Sequence, residues 1–246
     1  HYNQDNLQPV GSWDLMGNTT NPPQHMGAWM KYQYGGWISS ITSITSDGSY
    51  SLNPITSSSG NCYRINSPNS TSQWFLVEYR KSNSSFESQI PGDGLLVYRI
   101  TPDSVPYGNM NGPPDEVYVY RPNGGLNQRG TPASAYFSSQ AGRTKIDSST
   151  NPNPFLADGS KGGLIISNIG SAGSTISFTV GTGISPPNLI SPSDNAGSVG
   201  VGDTLIWSTV SSASTYDLQV STWSNFQTYV VNQTGINDTV YVPSAN

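Results

Sequence analysis

The sequence predicts a mixed α+β fold that is mostly β, and three observations lead to this prediction. The 246 residues include 26 Gly and 18 Pro with abundant Ser, Thr and Asn, a composition typical of short strands joined by turns. The runs Trp74 to Arg80 and Leu95 to Ile100 are apolar on both faces, as expected for central strands covered on each side. The segment Val10 to Trp37 instead carries a helical pattern.

That segment is predicted to contain a turn followed by a helix. Gly11 to Gly17 is too short for a strand and indicates a tight turn. Asn21 to Pro23 is typical of a helix start, because an Asn can cap it and prolines suit the first turn. An apolar stripe over Met26 to Met30 follows, and Gly35-Gly36 would end the helix. His25 would then lie in its first turn.

The remaining elements are short strands, most of them antiparallel, with a loop-rich region between residues 121 and 158. Trp37 to Ile44 and Ser49 to Ile55 flank an Asp47-Gly48 turn, which favours a hairpin. The other predicted strands are Cys62 to Ile65, Trp74 to Arg80, Leu95 to Ile100, Glu116 to Tyr120, Leu164 to Ile169 and Thr175 to Val180.

The Gly/Pro-rich stretch 182–187 reads as a linker between a domain at 1–181 and a second at 188–246. In the second, a Trp at position 207 and the alternation of Tyr216, Leu218 and Val220 resemble the first strands of a fibronectin type III domain. Such a sandwich needs about 100 residues, so we expect a partial β-sandwich here.

Composition excludes several classes of function. With 10 Lys+Arg and a net charge of −5, the chain offers no basic surface for the phosphates of nucleic acid. No run approaches the roughly 20 apolar residues of a membrane-spanning helix. The single cysteine, Cys62, is better explained as a small buried hydrophobe than as a nucleophile, because no His is near it in sequence. A secreted, extracellular β-rich protein fits this composition.

Two compact motifs carry a family resemblance. GSWDLM, at Gly11 to Met16, and PPQHMGAWMKY, at Pro22 to Tyr32, resemble the immune inhibitor A family of secreted zinc metallopeptidases. The resemblance continues through WFLVEYR and PGDGLLVYRI, although Arg99 stands where the family often has His. It implies a zincin-like peptidase domain that acts on protein or peptide substrates through a water activated by zinc.

The zinc ligands are expected outside this chain. Such an enzyme needs an H-E-x-x-H helix, and the histidines here, His1 and His25, do not form one. The resemblance places that helix just before the turn at Gly11 to Met16. We therefore expect the C-terminal part of a catalytic domain, inactive by itself. His1 is either a stray zinc ligand or simply solvated.

The resemblance gives the turn and the helix roles in supporting the active site. Trp13, Asp14 and Met16 would form a Met-turn beneath the zinc, whereas the alternatives are a core thioether for Met16 and a turn-forming carboxylate for Asp14. His25 would face the cleft and donate a hydrogen bond to a substrate carbonyl or oxyanion. Its alternative is a structural hydrogen bond to neighbouring backbone.

The other charged residues are predicted to be structural. A carboxylate in a strand as apolar as Trp74 to Arg80 needs a partner, so Glu78 should pair with Arg80 or Arg99. Calcium is associated with the family and is allowed as a further cofactor, but the loop carboxylates lack EF-hand spacing. These carboxylates are Asp93, Asp115, Glu116 and Asp158. A different class of function also fits, namely a non-catalytic extracellular β-rich protein for binding or adhesion.

Overall fold

The computed structural model describes residues 6–102, 108–182, 187–197, 199–200, 202–210 and 213–243. The chain divides into two compact units, His1–Gly183 and Ile184–Asn246. Strands dominate both units, which confirms the prediction of a mostly β fold with little helix. Within the described ranges, the structure contains no helix with the length and apolar character needed to cross a bilayer.

A five-stranded sheet forms the centre of the first unit, in the order β1-β3-β4-β5-β6. β1 runs parallel to β3, and the other neighbours are antiparallel. Its strands are β1 (Thr42–Ile44), β3 (Cys62–Asn66), β4 (Trp74–Arg80), β5 (Gly94–Ile100) and β6 (Val117–Val119). Every residue of β4 and β5 is buried, as expected for strands that are covered on both faces.

A second sheet packs beside the first, with β8 (Ile176–Thr182) between β2 (Gly48–Leu52) and β7 (Leu164–Ser167). The predicted hairpin between β1 and β2 is therefore wrong. β2 pairs with β8, with Tyr50 opposite Phe178, while β1 pairs with β3. The Asp47-Gly48 turn lies between two sheets, and contacts distant in sequence decide the pairing.

The alternation of side chains along β4 and β5 divides the core into two clusters. One face contributes Phe75, Val77 and Leu95 to a cluster with the second sheet. The opposite face contributes Leu76 and Tyr98 to a cluster that includes the turn and helix of the N-terminal segment. We call these the sheet-packed face and the helix-packed face. The predicted functional segment therefore covers the helix-packed face alone.

The helix is shorter than predicted and begins later. Helix α1 spans Ala28–Gln33, with Gly27 at its N-cap, so the predicted start at Asn21 to Pro23 is wrong. His25 consequently lies before the helix and not in its first turn. Short 3₁₀ turns at Gly11–Trp13 and Ser85–Glu87 flank the same region.

Side chains and a distant segment occupy the exposed edge of β6. Asn109, fully buried, accepts from the Val117 N–H at 2.9 Å and donates to the Val117 carbonyl at 2.7 Å. The Val119 N–H donates to the Pro9 carbonyl at 2.9 Å. Arg121 binds the carbonyls of Pro9 and Leu7. The first described residues are thus held against the sheet edge.

The second unit contains a three-stranded sheet and a hairpin. The sheet has the order β13-β10-β9, and β11 pairs with β12. The strands are β9 (Leu189–Ser191), β10 (Leu205–Trp207), β11 (Tyr216–Val220), β12 (Val231–Ile236) and β13 (Val240–Tyr241). Trp207 is buried, and its ring meets the Tyr216 ring edge-on at 5.6 Å.

Candidate functional site

Asp14 joins the tight turn to the start of the helix. Its Oδ1 accepts the Met16 N–H at 2.8 Å, and its Oδ2 accepts the Gly27 N–H at 2.8 Å. The carboxylate is buried, so these two backbone donors satisfy it where water does not reach. Asp14 therefore has the turn-forming role that was one of its two predicted alternatives.

The other two residues of the predicted Met-turn pack into the core. Trp13 is fully buried and donates from Nε1 to the Pro132 carbonyl at 2.7 Å. Met16 is half-buried and packs against the helix-packed cluster. It is the adjacent Leu15, and not Met16, that lines the groove described below.

Glu78 holds the N-terminus of helix α1 against strand β4. Its Oε2 accepts the Ala28 N–H at 2.6 Å, and its Oε1 accepts the Tyr98 hydroxyl at 2.9 Å. Arg80 Nη1 lies 3.0 Å from Glu78 Oε1, and both side chains are fully buried. Gly27 has no side chain that could cap the helix, so Asp14 and Glu78 supply the acceptors for its first N–H groups.

A second carboxylate, Glu87, also pairs with Arg80. Arg80 Nε donates to Glu87 Oε2 at 2.8 Å, and Nη2 donates to Oε1 at 2.9 Å, so the pair is bidentate. Sequence reasoning missed Glu87, because it lies in a polar stretch between the predicted strands Trp74 to Arg80 and Leu95 to Ile100. The signal that could have found it is the charge balance of Arg80, whose planar guanidinium can bind two carboxylates.

This ion pair forms hydrogen bonds with both the N–H and the carbonyl of His25. The His25 N–H donates to Glu87 Oε1 at 2.8 Å, and Arg80 Nη2 donates to the His25 carbonyl at 3.1 Å. We call this arrangement the His25 clasp. Its two side chains are fully buried, so the position of His25 is set by a rigid, water-excluded pair.

The imidazole of His25 is held in its neutral form. Burial, followed by the positive charges of Lys31 and Arg80, lowers the pKa of His25 to about 4. Phe86 meets the ring edge-on with centroids 6.2 Å apart. A neutral imidazole offers one donor and one acceptor at ordinary pH.

The imidazole lines an open groove of about 530 Å³. Met26, Ile38 and Ile55 are among its apolar lining residues. Lys31 also lines it, and the Lys31 ammonium donates to the Ile55 carbonyl at 3.2 Å. Burial lowers the pKa of Lys31, while the negative charges of Glu78 and Glu87 oppose that decrease. The groove therefore combines apolar surface with a neutral imidazole and a cation.

Arg99 is remote from this site, because it belongs to the sheet-packed face. Its guanidinium lies over the rings of Tyr118 and Phe155, at 5.1 and 5.3 Å from their centroids. Arg99 Nη1 donates to the Leu156 carbonyl at 3.3 Å. Of the two predicted partners of Glu78, the structure brings Arg80 to it and places Arg99 on the opposite side of the sheet.

Three of the loop carboxylates considered for calcium accept hydrogen bonds from the protein. Asp93 accepts from the Ser82 N–H and hydroxyl, and Asp158 accepts likewise from Ser160. Glu116 accepts from Trp29 Nε1 and from the Tyr34 hydroxyl. Asp115 is buried.

Within the part of the chain that the structure describes, no three His, Cys, Asp or Glu side chains form a group that could hold a metal ion. His1, considered as a stray zinc ligand, lies outside the described residues. The described side chains therefore do not fit a zinc centre. Cys62 is buried, and burial raises the pKa of its thiol to about 12, as expected for an inert core cysteine.

Comparison of the chain with protein-family models, with curated proteins and with solved structures gives no match.

Proposed function

We propose that this chain supplies the substrate-binding wall of a secreted zinc metalloendopeptidase similar to the immune inhibitor A family. The observation that carries the proposal is the His25 clasp, which fixes the backbone of a residue whose imidazole lines an open groove. Burial of the Arg80–Glu87 pair costs free energy, because both charges must be removed from water. Such an arrangement is reasonable where the position of the imidazole matters.

In this proposal, His25 binds the substrate peptide and takes no part in metal binding. Its neutral ring can donate a hydrogen bond to a carbonyl oxygen, and the bond strengthens as that oxygen gains negative charge during hydrolysis. Asp14 and Glu78 keep the start of helix α1 in place, while Met16 packs against the helix-packed cluster.

Zinc, in the same proposal, is held by residues outside this chain. The described side chains offer no site for it, so we assign no reaction step to the metal here. The second unit would be the partial fibronectin type III-like module, which supports an extracellular location.

The test uses the complete open reading frame that encodes this chain, secreted from its native host. We expect chelator-sensitive cleavage of an unfolded protein substrate, and a decrease in turnover of about 10²-fold for His25→Ala. Gln227→Ala is the control and should cleave normally, because Gln227 is exposed and does not line the groove. The 246-residue chain alone should neither bind zinc tightly nor cleave protein.

Two results would contradict the proposal in different ways. Unchanged turnover of His25→Ala would remove the role of this side chain. A complete protein without chelator-sensitive proteolysis would overturn the peptidase assignment and favour the binding or adhesion protein.

A further inference from the structure

Among the described residues that line the groove, one side chain carries a formal charge, and that charge is positive. It belongs to Lys31, and no Asp or Glu of the described chain lines the groove. The remaining polar lining groups are neutral, among them Gln24, Ser57 and Asn61. An occupant with one negative group is therefore complementary to this surface, whereas a polyanion would meet only one cation.

The ammonium of Lys31 has unused capacity to donate. Lys31 is buried, with 9% of its surface exposed, and within the described residues its ammonium makes one hydrogen bond, to the Ile55 carbonyl. An ammonium carries three N–H donors. The two carboxylates whose charges act on Lys31 already bind other groups. Glu78 binds the helix start, Tyr98 and Arg80, and Glu87 binds Arg80 and the His25 backbone. Within the described residues, neither is within salt-bridge distance of Lys31.

Two large aromatic side chains of the groove remain exposed to solvent. Trp37 is 69% exposed and Phe86 is 56% exposed, and both contribute to the lining. Exposed aromatic surface at a groove is typical of a binding site, because a ligand can bury it. The site therefore offers an apolar contact and a cation within one depression.

We propose that this groove binds an extended peptide in which an acidic side chain lies next to a large apolar side chain. Lys31 pairs with the carboxylate, Phe86 and Trp37 pack against the apolar group, and His25 faces the peptide backbone. Lys31 is then the residue that determines specificity. The inference rests on the proposed function, because that function makes the ligand a peptide substrate. It narrows the substrates to peptides with this pair of side chains.

The first test measures peptide binding to the 246-residue chain by calorimetry. The probes are capped tetrapeptides with adjacent Phe and Glu in both orders, so that no terminal carboxylate is present. Replacement of Glu by Gln in the better peptide should weaken binding about tenfold, because a charge-assisted hydrogen bond is lost. Replacement of Phe by Ala should weaken binding by about the same factor. Equal affinity for the Glu and Gln peptides, or no binding at all, overturns the inference.

The second test assigns the preference to one residue. Lys31→Met retains the length of the side chain and should bind the Glu and Gln peptides equally. Lys81→Met is the matched control, because the Lys81 ammonium also donates to a backbone carbonyl, that of Gly173, but lies outside the groove. It should retain the preference for Glu. If Lys81→Met loses the preference or Lys31→Met retains it, the assignment is wrong.

The two proposals fail separately. A peptide preference that depends on Lys31 can be observed even if the complete protein proves not to be a peptidase. Conversely, chelator-sensitive proteolysis without this preference would support the peptidase proposal and contradict only the inferred substrate class. Circular dichroism shows whether Lys31→Met folds. If it does not fold, the Glu and Gln peptides on the unaltered chain still show whether the groove prefers an acidic side chain.

Discussion

The two faces of the central sheet each bury an arginine, and they stabilise it in opposite ways. On the helix-packed face, Arg80 contacts two carboxylates, Glu78 and Glu87, at hydrogen-bond distance. On the sheet-packed face, Arg99 lies over two aromatic rings, and among the described residues its Nε and Nη2 have no hydrogen-bond partner. Within the described residues, no carboxylate is within salt-bridge distance of Arg99.

The contrast shows how differently the two faces hold a charge. Glu78 and Glu87 outweigh the burial of Arg80 and raise its pKa, whereas burial lowers the pKa of Arg99 despite the opposing charge of Asp115 and nearby tyrosines. Paired charges with fixed geometry position a functional segment, while stacking on rings fills a core. We therefore expect replacement of Arg80 on the helix-packed face to lower the free energy of unfolding more than replacement of Arg99 on the sheet-packed face.

The largest effect is expected from Arg80→Met. The substitution leaves Glu78 and Glu87 buried without their cation, which should lower the free energy of unfolding by about 3–5 kcal/mol. Denaturation in urea measures this loss. A decrease below about 1 kcal/mol would show that the two carboxylates are satisfied without Arg80, and the contrast between the faces would disappear.

Arg99→Met is the matched substitution on the other face and should have a much smaller effect. It removes a buried charge without leaving a carboxylate that depends on it at contact distance, and the lost ring contacts are worth about 1 kcal/mol. The free energy of unfolding should change by less than about 1 kcal/mol in the same assay. A loss as large as that of Arg80→Met would mean that ring stacking and the hydrogen bond to the Leu156 carbonyl stabilise a buried cation as much as an ion pair does.

A further effect concerns the titration of His25. Because its pKa is about 4 in the folded chain and about 6.5 when unfolded, the unfolded chain binds more protons between these values. The contribution of His25 to stability should therefore be complete above pH 6.5 and decrease as the pH falls toward 4. NMR can follow both histidines, and His25→Gln assigns the signals. A His25 signal that titrates near 6.5 would contradict the environment described here.

Sequence reasoning succeeded where a pattern is local and failed where distant residues decide. β4 and β5 were predictable from their apolar runs, and the need of Glu78 for a cation followed from its apolar strand. The helix start was not predictable, because its acceptors come from Asp14 and Glu78, 13 and 50 residues from their backbone donors. Glu87 was missed for a related reason, since a polar loop gives no sign that one of its side chains is buried.

The occupied edge of β6 has a consequence for the solution behaviour of the protein. An open strand edge can pair with the edge of another molecule, which is a common route to aggregation. Here Asn109 and the carbonyl of Pro9 already use backbone groups of Val117 and Val119. Removal of the segment that ends at Pro9 would expose the Val119 N–H at this edge. Proteolytic removal of that segment should therefore increase self-association of the protein.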